Sequence, residues 1–362
     1  MKHLKHQVIA IGLAIVLMAV AAFFGLKNHS GSSNGVAHSN LTFKDSIRLK
    51  TTPVKNQGRS ELCWIYAMLS TIETNRLGLG DSVNLSIAYL SHMFLVQKTT
   101  EYYMSRGKKP ISSRGMMPMT LHLLEQYGAE SYQSYQGNAD INYRVLTRKL
   151  MQNANAALGK RESIERLKKS THDILDKEIG FMPQFVFMLG TEYTPQEFGH
   201  SIYLPGQFEN LTSFTHHPFG ERFALEVPDN QMHDTFLNVP IDTLMSRIDN
   251  SLRHGKAVCW EGDTSEEGFS FADGVALTKE ERGEKKGQCP IANAQQLRQK
   301  EFESFKTTDD HCMSLIGIAH DQYGRRYYIA KNSWGTGNRY GGYMYLSENY
   351  IRLKTIAVCL AL

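Results

Sequence analysis

The sequence predicts an α+β protein in which a helical first half meets a strand-rich second half across a cleft. Three observations carry this. Apolar residues recur at helical spacing from Cys63, a long charged helical pattern runs from Asn142, and short alternating runs separated by turn residues follow Ala257. The chain has 362 residues, 41% hydrophobic and 21% charged, a globular composition larger than one small core. The net charge of +4 comes from lysines and arginines spread along the chain, so a nucleic-acid role has no electrostatic footprint.

The first element is an N-terminal segment. A basic start, Lys2 to His6, precedes the uncharged apolar run Val8 to Leu26. As a helix that run rises about 28 Å, close to the ~30 Å of a bilayer's hydrocarbon core. Lys2 and Lys5 place the N-terminus in the cytoplasm and the rest on the opposite side. Residues 1–28 are therefore expected to be a signal peptide or membrane anchor and residues 29–48 a polar tether. The remainder, 49–362, is expected to work outside the cytoplasm, periplasmic or secreted.

The helices come next. The polar loop Lys55 to Ser60 leads into a helix starting near Cys63, with Ile65, Leu69 and Ile72 on its apolar spacing and Gly78 and Gly80 as its stop. Two more are expected over Asn84 to Gln97 and Pro118 to Tyr127. The charged pattern from Asn142 to Leu189, broken at Gly159, Gly180 and Pro183, reads as a helical insertion spanning residues 141–190. Strands are expected at Ala257 to Trp260, Met313 to Ala319, Tyr327 to Lys331, Tyr343 to Leu346 and Ile356 to Leu360. The five cysteines, Cys63, Cys259, Cys289, Cys312 and Cys359, show no paired metal-ligand spacing, and no metal or other cofactor is indicated. Cys259 and Cys359 read as free, buried thiols.

One set of residues carries chemistry. Cys63 at a helix N-terminus would have its thiolate stabilised by unpaired backbone N–H groups and the helix dipole, and a protonated His311 would add a full charge. Asn332 can orient that imidazole, Trp334 can cover the bond, and Gln57 can donate to a developing oxyanion beside the Cys63 N–H. Alone, each has a plain reading: a buried thiol, a satisfied histidine, a turn, a surface amide. Together and in this order, with Trp64 after Cys63 and Asn332-Ser333-Trp334-Gly335 after His311, they read as a cysteine hydrolase. Three other features are set aside. His216 and His217 should point to opposite faces of an extended segment. His320 should lie at the far end of the strand that follows His311. Cys312, adjacent to His311, should face away from the cleft.

These motifs, Lys55-Asn56-Gln57-Gly58, Cys63-Trp64, Asp310-His311 and Asn332-Ser333-Trp334-Gly335, resemble those of the papain-like cysteine peptidases. The match departs at Ser60-Glu61-Leu62, where Cys, Gly and a small residue are expected, and His311 lies farther downstream than the ~130–150 residues of papain. That spacing is similar to the bleomycin hydrolase and aminopeptidase C branch, as are Ser213 to Pro218, Leu237 to Asp242 and Glu261-Gly262-Asp263. The resemblance implies a papain-like two-lobed fold, a helical lobe plus an antiparallel β-barrel-like lobe, carrying the helical insertion. It implies peptide or protein substrates, aminopeptidase action and possible homo-oligomers. Members of the branch restrict cleavage with a C-terminal arm. The stop at Leu362 makes endopeptidase action the alternative, and a catalytically silent papain-like binding protein a further one.

Overall fold

Helix α1 (Cys63–Gly78) is buried from Trp64 to Thr74 apart from Tyr66, so it has no single apolar stripe and forms the axis of the helical side. The computed structural model describes residues 41–138, 140–188, 190–283 and 291–362. The apolar run Val8 to Leu26, most of the proposed tether and Cys289 lie outside the described residues. Among the described residues, no helix is long and apolar enough to cross a membrane.

Around α1 pack α2 (Ile87–Met104), capped by Ser86 Oγ accepting from Tyr89 N at 3.0 Å, and α3 (Met117–Tyr127), with Pro118 in its first turn. Gly128 ends α3 at φ +77°, and a Cβ there would lie 2.0 Å from the Pro195 carbonyl oxygen. Only glycine lets α3 meet α6 (Pro195–Ile202) so closely. The insertion is a pair of helices, α4 (Tyr143–Lys160) and α5 (Ile164–Glu178), packed on α2 and on each other. Leu146, Leu150, Ala154 and Ala157 of α4 meet Leu167, Thr171 and Leu175 of α5 on buried stripes at helical spacing.

The insertion differs from expectation in two places. Gly159 remains inside α4, and the break falls at Arg161, in the left-handed conformation at φ 55°. Past Gly180 the helical pattern fails; a short hairpin, β2 (Val186–Met188) with β3 (Thr191–Tyr193), follows instead.

The other side is a twisted sheet of β1 (Phe43–Arg48), β4 (Phe208–Thr212), β5 (Arg222–Ala224), β6 (Thr235–Asn238), β7 (Val258–Gly262), β8 (Phe269–Ser270), β9 (Val275–Ala276), β10 (His311–Asp321), β11 (Arg326–Lys331), β12 (Tyr343–Ser347) and β13 (Thr355–Ala361). All five expected strands are present, each a residue or more longer. Most pairs are antiparallel, as expected of this lobe, while β4–β6 and β9–β12 are parallel. Strand β1 pairs with β10, which moves the start of this unit from Leu49 back to at least Phe43. Gly317 of β10 permits that pairing, since a Cβ there would sit 2.1 Å from the Ile47 carbonyl oxygen.

One core lies between the helices and the sheet and includes Cys259, Cys312 and Cys359. A second, on the far face, is closed by α7 (Ile241–Arg253) through Leu244, Ile248 and Leu252, and by α9 (Glu348–Lys354) through Tyr350 and Ile351. Helix α8 (Ala294–Glu303) is held by the buried Arg298, whose guanidinium donates to the carbonyls of Ser213 at 2.7 Å and Thr355 at 2.7 Å.

Candidate active site

The two distant motifs are joined by backbone. Gln57 N donates to Ser333 O at 2.7 Å, Gly335 N to Lys55 O at 3.2 Å, and Asn56 forms a bridge with Trp334. Behind this junction the Glu73 carboxylate, fully buried on α1, accepts from Lys55 Nζ at 2.8 Å, Leu85 N at 2.7 Å and the Thr52 hydroxyl. Lys331 of β11 donates to Thr52 at 2.9 Å, and burial lowers its pKa to about 8. Buried charges of this kind are costly unless partnered, so the network fixes the loop on α1 in one register.

On that junction Gln57 is oriented unambiguously. Its Oε1 accepts from the Ser333 hydroxyl at 2.6 Å and its Nε2 donates to Ser60 O at 2.8 Å, which settles the amide's orientation and leaves one Nε2 hydrogen uncommitted. His311 opens β10 and Asn332 follows β11. Asn332 Oδ1 accepts from Ser333 N at 2.7 Å, so the amide oxygen also faces His311 Nε2 at 2.8 Å. An amide oxygen only accepts; the ring hydrogen therefore sits on Nε2, and Nδ1 is left for the sulfur. Trp334 lies over the ring at a centroid distance of 4.6 Å. Trp64 has a different place. It is fully buried, donates to Ser113 O at 3.1 Å and packs edge-on against Phe94, so it anchors α1 away from the cleft.

Cys63 is half-buried at the first position of α1, where the preceding Leu62 supplies no side-chain cap. Its pKa is held well below that of an ordinary thiol. A hydrogen bond from Cys312 is the largest cause; burial opposes it, and the hydrogen bond and charge of His311 add to the lowering. As expected from alternation along β10, Cys312 does not open to the cleft; it is buried in the core beneath α1. Strand alternation sends His311 and Cys312 to opposite faces, and α1 packs on the Cys312 face, where Thr71 donates to Ser314 at 2.9 Å.

Several groups near the sulfur were given no part in the site from the sequence, Glu261 having entered only through the branch resemblance. Glu261 stands opposite Cys312 across β7 and β10, is buried, and is pushed well above the usual carboxyl range by burial first and then by Asp309, Cys63 and Asp229. Asp229 pairs with Arg114 at 2.7 Å, and its N–H donates to Asp309 at 3.2 Å; burial raises its pKa to about 6, against the Arg114 hydrogen bond. A charged residue inside the apolar run Ala257 to Trp260-Glu261 was the available signal for Glu261. Asp229 and Arg114 lie in irregular segments that no spacing connects.

The features set aside divide. His320 does sit at the far end of β10, bound to Ser46 at 3.0 Å. His216 and His217, expected to diverge, converge on Glu226 at 3.1 and 2.6 Å because the segment is a turn. Gln299 of α8 holds the other nitrogen of His216 at 3.0 Å, so the cluster fastens the loop to that helix. Cys63, Cys259, Cys312 and Cys359 are free thiols.

The Peptidase C1-like family matches residues 186–360, which carry His311 and Asn332 but not Cys63. Aminopeptidase E of Lactobacillus helveticus is 24% identical over 88% of this chain and 83% of its own. Aminopeptidase C of Listeria monocytogenes is 24% identical over 90% and 85%. The crystal structure of PepW from Lactobacillus rhamnosis, 18% identical, superposes with a TM-score of 0.65 over 88% of this chain and 82% of that one, a likeness of fold. The chain is a papain-like cysteine peptidase. Within that class it is similar to the aminopeptidases C and E.

Proposed function

We propose that the protein is an aminopeptidase in which Cys63 attacks the peptide carbonyl and forms a thioester. In this reading His311 gives its proton to the leaving amine and then activates water for deacylation. Asn332 fixes the ring, Trp334 shields the His311–Asn332 bond, and Gln57 with the Cys63 N–H binds the oxyanion. The observation that carries the proposal is the His311 ring, held by its Nε2 at 2.8 Å from the Asn332 amide oxygen and acting on the Cys63 thiol to lower its pKa. Exopeptidase action draws on the relatives named aminopeptidases. The apolar N-terminal run Val8 to Leu26 supports export and anchoring, with catalysis outside the cytoplasm.

The test is turnover of matched peptides with free and acetylated N-termini. Free peptides are expected to be cleaved one residue at a time and acetylated ones spared, with Cys63→Ala losing at least ~10³-fold in kcat. Equal cleavage of acetylated peptides would replace the aminopeptidase reading with an endopeptidase. Full activity in Cys63→Ala would remove the nucleophile.

A further inference from the structure

A second bridge, separate from the Gln57–Ser333 junction, crosses between the helical and sheet sides close to Cys63. It starts in the loop before α3, which is seated on residues flanking Cys63. Ser113 Oγ donates to Glu61 Oε2 at 3.0 Å, Trp64 Nε1 donates to Ser113 O at 3.1 Å, and a Cβ on Gly115 would lie 3.0 Å from the Trp64 indole. From this loop Arg114 reaches the residues that lead into His311. Its Nε donates to Asp229 Oδ1 at 2.7 Å and its Nη2 to Asp309 O at 3.3 Å, while Asp229 N donates to Asp309 Oδ2 at 3.2 Å. Asp229 lies in the connection between β5 and β6, which grips the helical side twice more. Gln231 Nε2 donates to Arg114 O at 3.2 Å, and Asp234 pairs with His122 of α3 at 2.6 Å. Asp229 and Asp309 are buried, whereas the Arg114 side chain is 44% exposed, so the guanidinium forms the outer surface of the bridge.

No peptide chain passes between groups at hydrogen-bond distance, so the cleft ends where Arg114 meets Asp309. Asp309 precedes His311 by only two residues, which keeps that end close to the reacting atoms. In the tetrahedral intermediate the Cys63 sulfur, the oxyanion at Gln57 and the leaving nitrogen at His311 take three of the four directions about carbon. The acyl residue takes the fourth. We propose that this direction runs to Arg114, a specificity-determining residue latched by Asp229 and Asp309 as a stop behind the first substrate residue. A free amine fits against the stop, whereas an acetyl group or a preceding residue collides with it. Displacing Arg114 breaks a charge-assisted hydrogen bond and leaves the buried Asp229 carboxylate unpaired, so the stop does not yield readily. Selection then works by excluding the wrong substrate, not by added affinity for the amine. The proposal rests on the aminopeptidase reading and gives it a physical cause.

The test uses the full chain and two chromogenic substrates, leucine 4-nitroanilide with its free amine and N-acetyl-leucyl-leucine 4-nitroanilide. The measured quantity is kcat/KM for the blocked substrate divided by that for the free one, in wild type, Arg114→Ala and Asp229→Asn. Arg114→Ala is expected to raise this ratio by ~10-fold or more, the scale on which a steric contact in a pocket discriminates. Asp229→Asn keeps the shape of the latch and loses its charge; it should raise the ratio less, and it serves should the alanine variant fail to fold. A purely structural role for Arg114 would lower both activities together and leave the ratio where it was. Wild type that spares the blocked substrate, with the ratio unmoved in both variants, overturns the proposal and leaves the aminopeptidase reading standing. Wild type that cleaves both substrates equally overturns both.

Discussion

The sheet side and the helical side of this molecule hold their functional residues by different means. His311 and Asn332 are placed by strand register: β10 and β11 are neighbours, and each residue sits at or just past a strand end nearest the cleft. Cys63 is placed by burial and charge, through a helix sunk in the core and a loop tied down by Glu73, Lys55 and Thr52. The matched family segment, residues 186–360, covers the first kind and stops short of the second. Ladder hydrogen bonds fix geometry with little demand on side-chain identity. A buried network demands particular partners.

Substitutions can break this comparison. On the sheet side, His311→Ala should lower kcat/KM by ~10²–10⁴ while the circular dichroism spectrum is retained, because it removes proton transfer and leaves the β10 ladder in place. On the helical side, Glu73→Ala should cost about 3–5 kcal/mol of stability in chemical denaturation, since it leaves Lys55 and the Leu85 N–H without their buried acceptor. A loss of catalysis in Glu73→Ala with unchanged stability would show that the network acts on chemistry instead. Gln57→Ala, at the junction of the two sides, should reduce kcat by about 2.7–4 kcal/mol of transition-state stabilisation with KM little changed.

The smallest expected effect sharpens the contrast through pH. His92 of α2 lies buried between Tyr135 at 3.2 Å and His172 of α5 at 2.9 Å, and burial, then the charge of His172, lowers its pKa from 6.5 to about 3. Above pH 6.5 both folded and unfolded states are neutral there and nothing changes. Below it the unfolded chain takes up a proton that the folded chain refuses, so stability falls, by about 2 kcal/mol at pH 5. Thermal melts of wild type should drop more between pH 7 and 5 than those of His92→Asn. An equal drop would place the acid sensitivity elsewhere.

How far the sequence disclosed this arrangement follows the same division. Helix α1, the five main strands and the grouping of Gln57, Cys63, His311 and Asn332 were readable because periodicity and chain order survive without knowledge of tertiary contacts. The burial of Cys312 away from the cleft was readable from alternation along β10, but which element packs on that face was not. His216 and His217 were misjudged for a related reason, an assumed extended segment that is a turn. Asp229 and Arg114, 115 residues apart, were invisible because only folding joins them.

The account turns on the ionisation of one sulfur, and the pH dependence of its alkylation tests that directly. The rate of iodoacetamide modification at Cys63, followed by peptide mass, should remain high well below the ordinary thiol range near pH ~8.5 and shift upward in His311→Ala. A rate that rises only through that ordinary range, in wild type and His311→Ala alike, would contradict it.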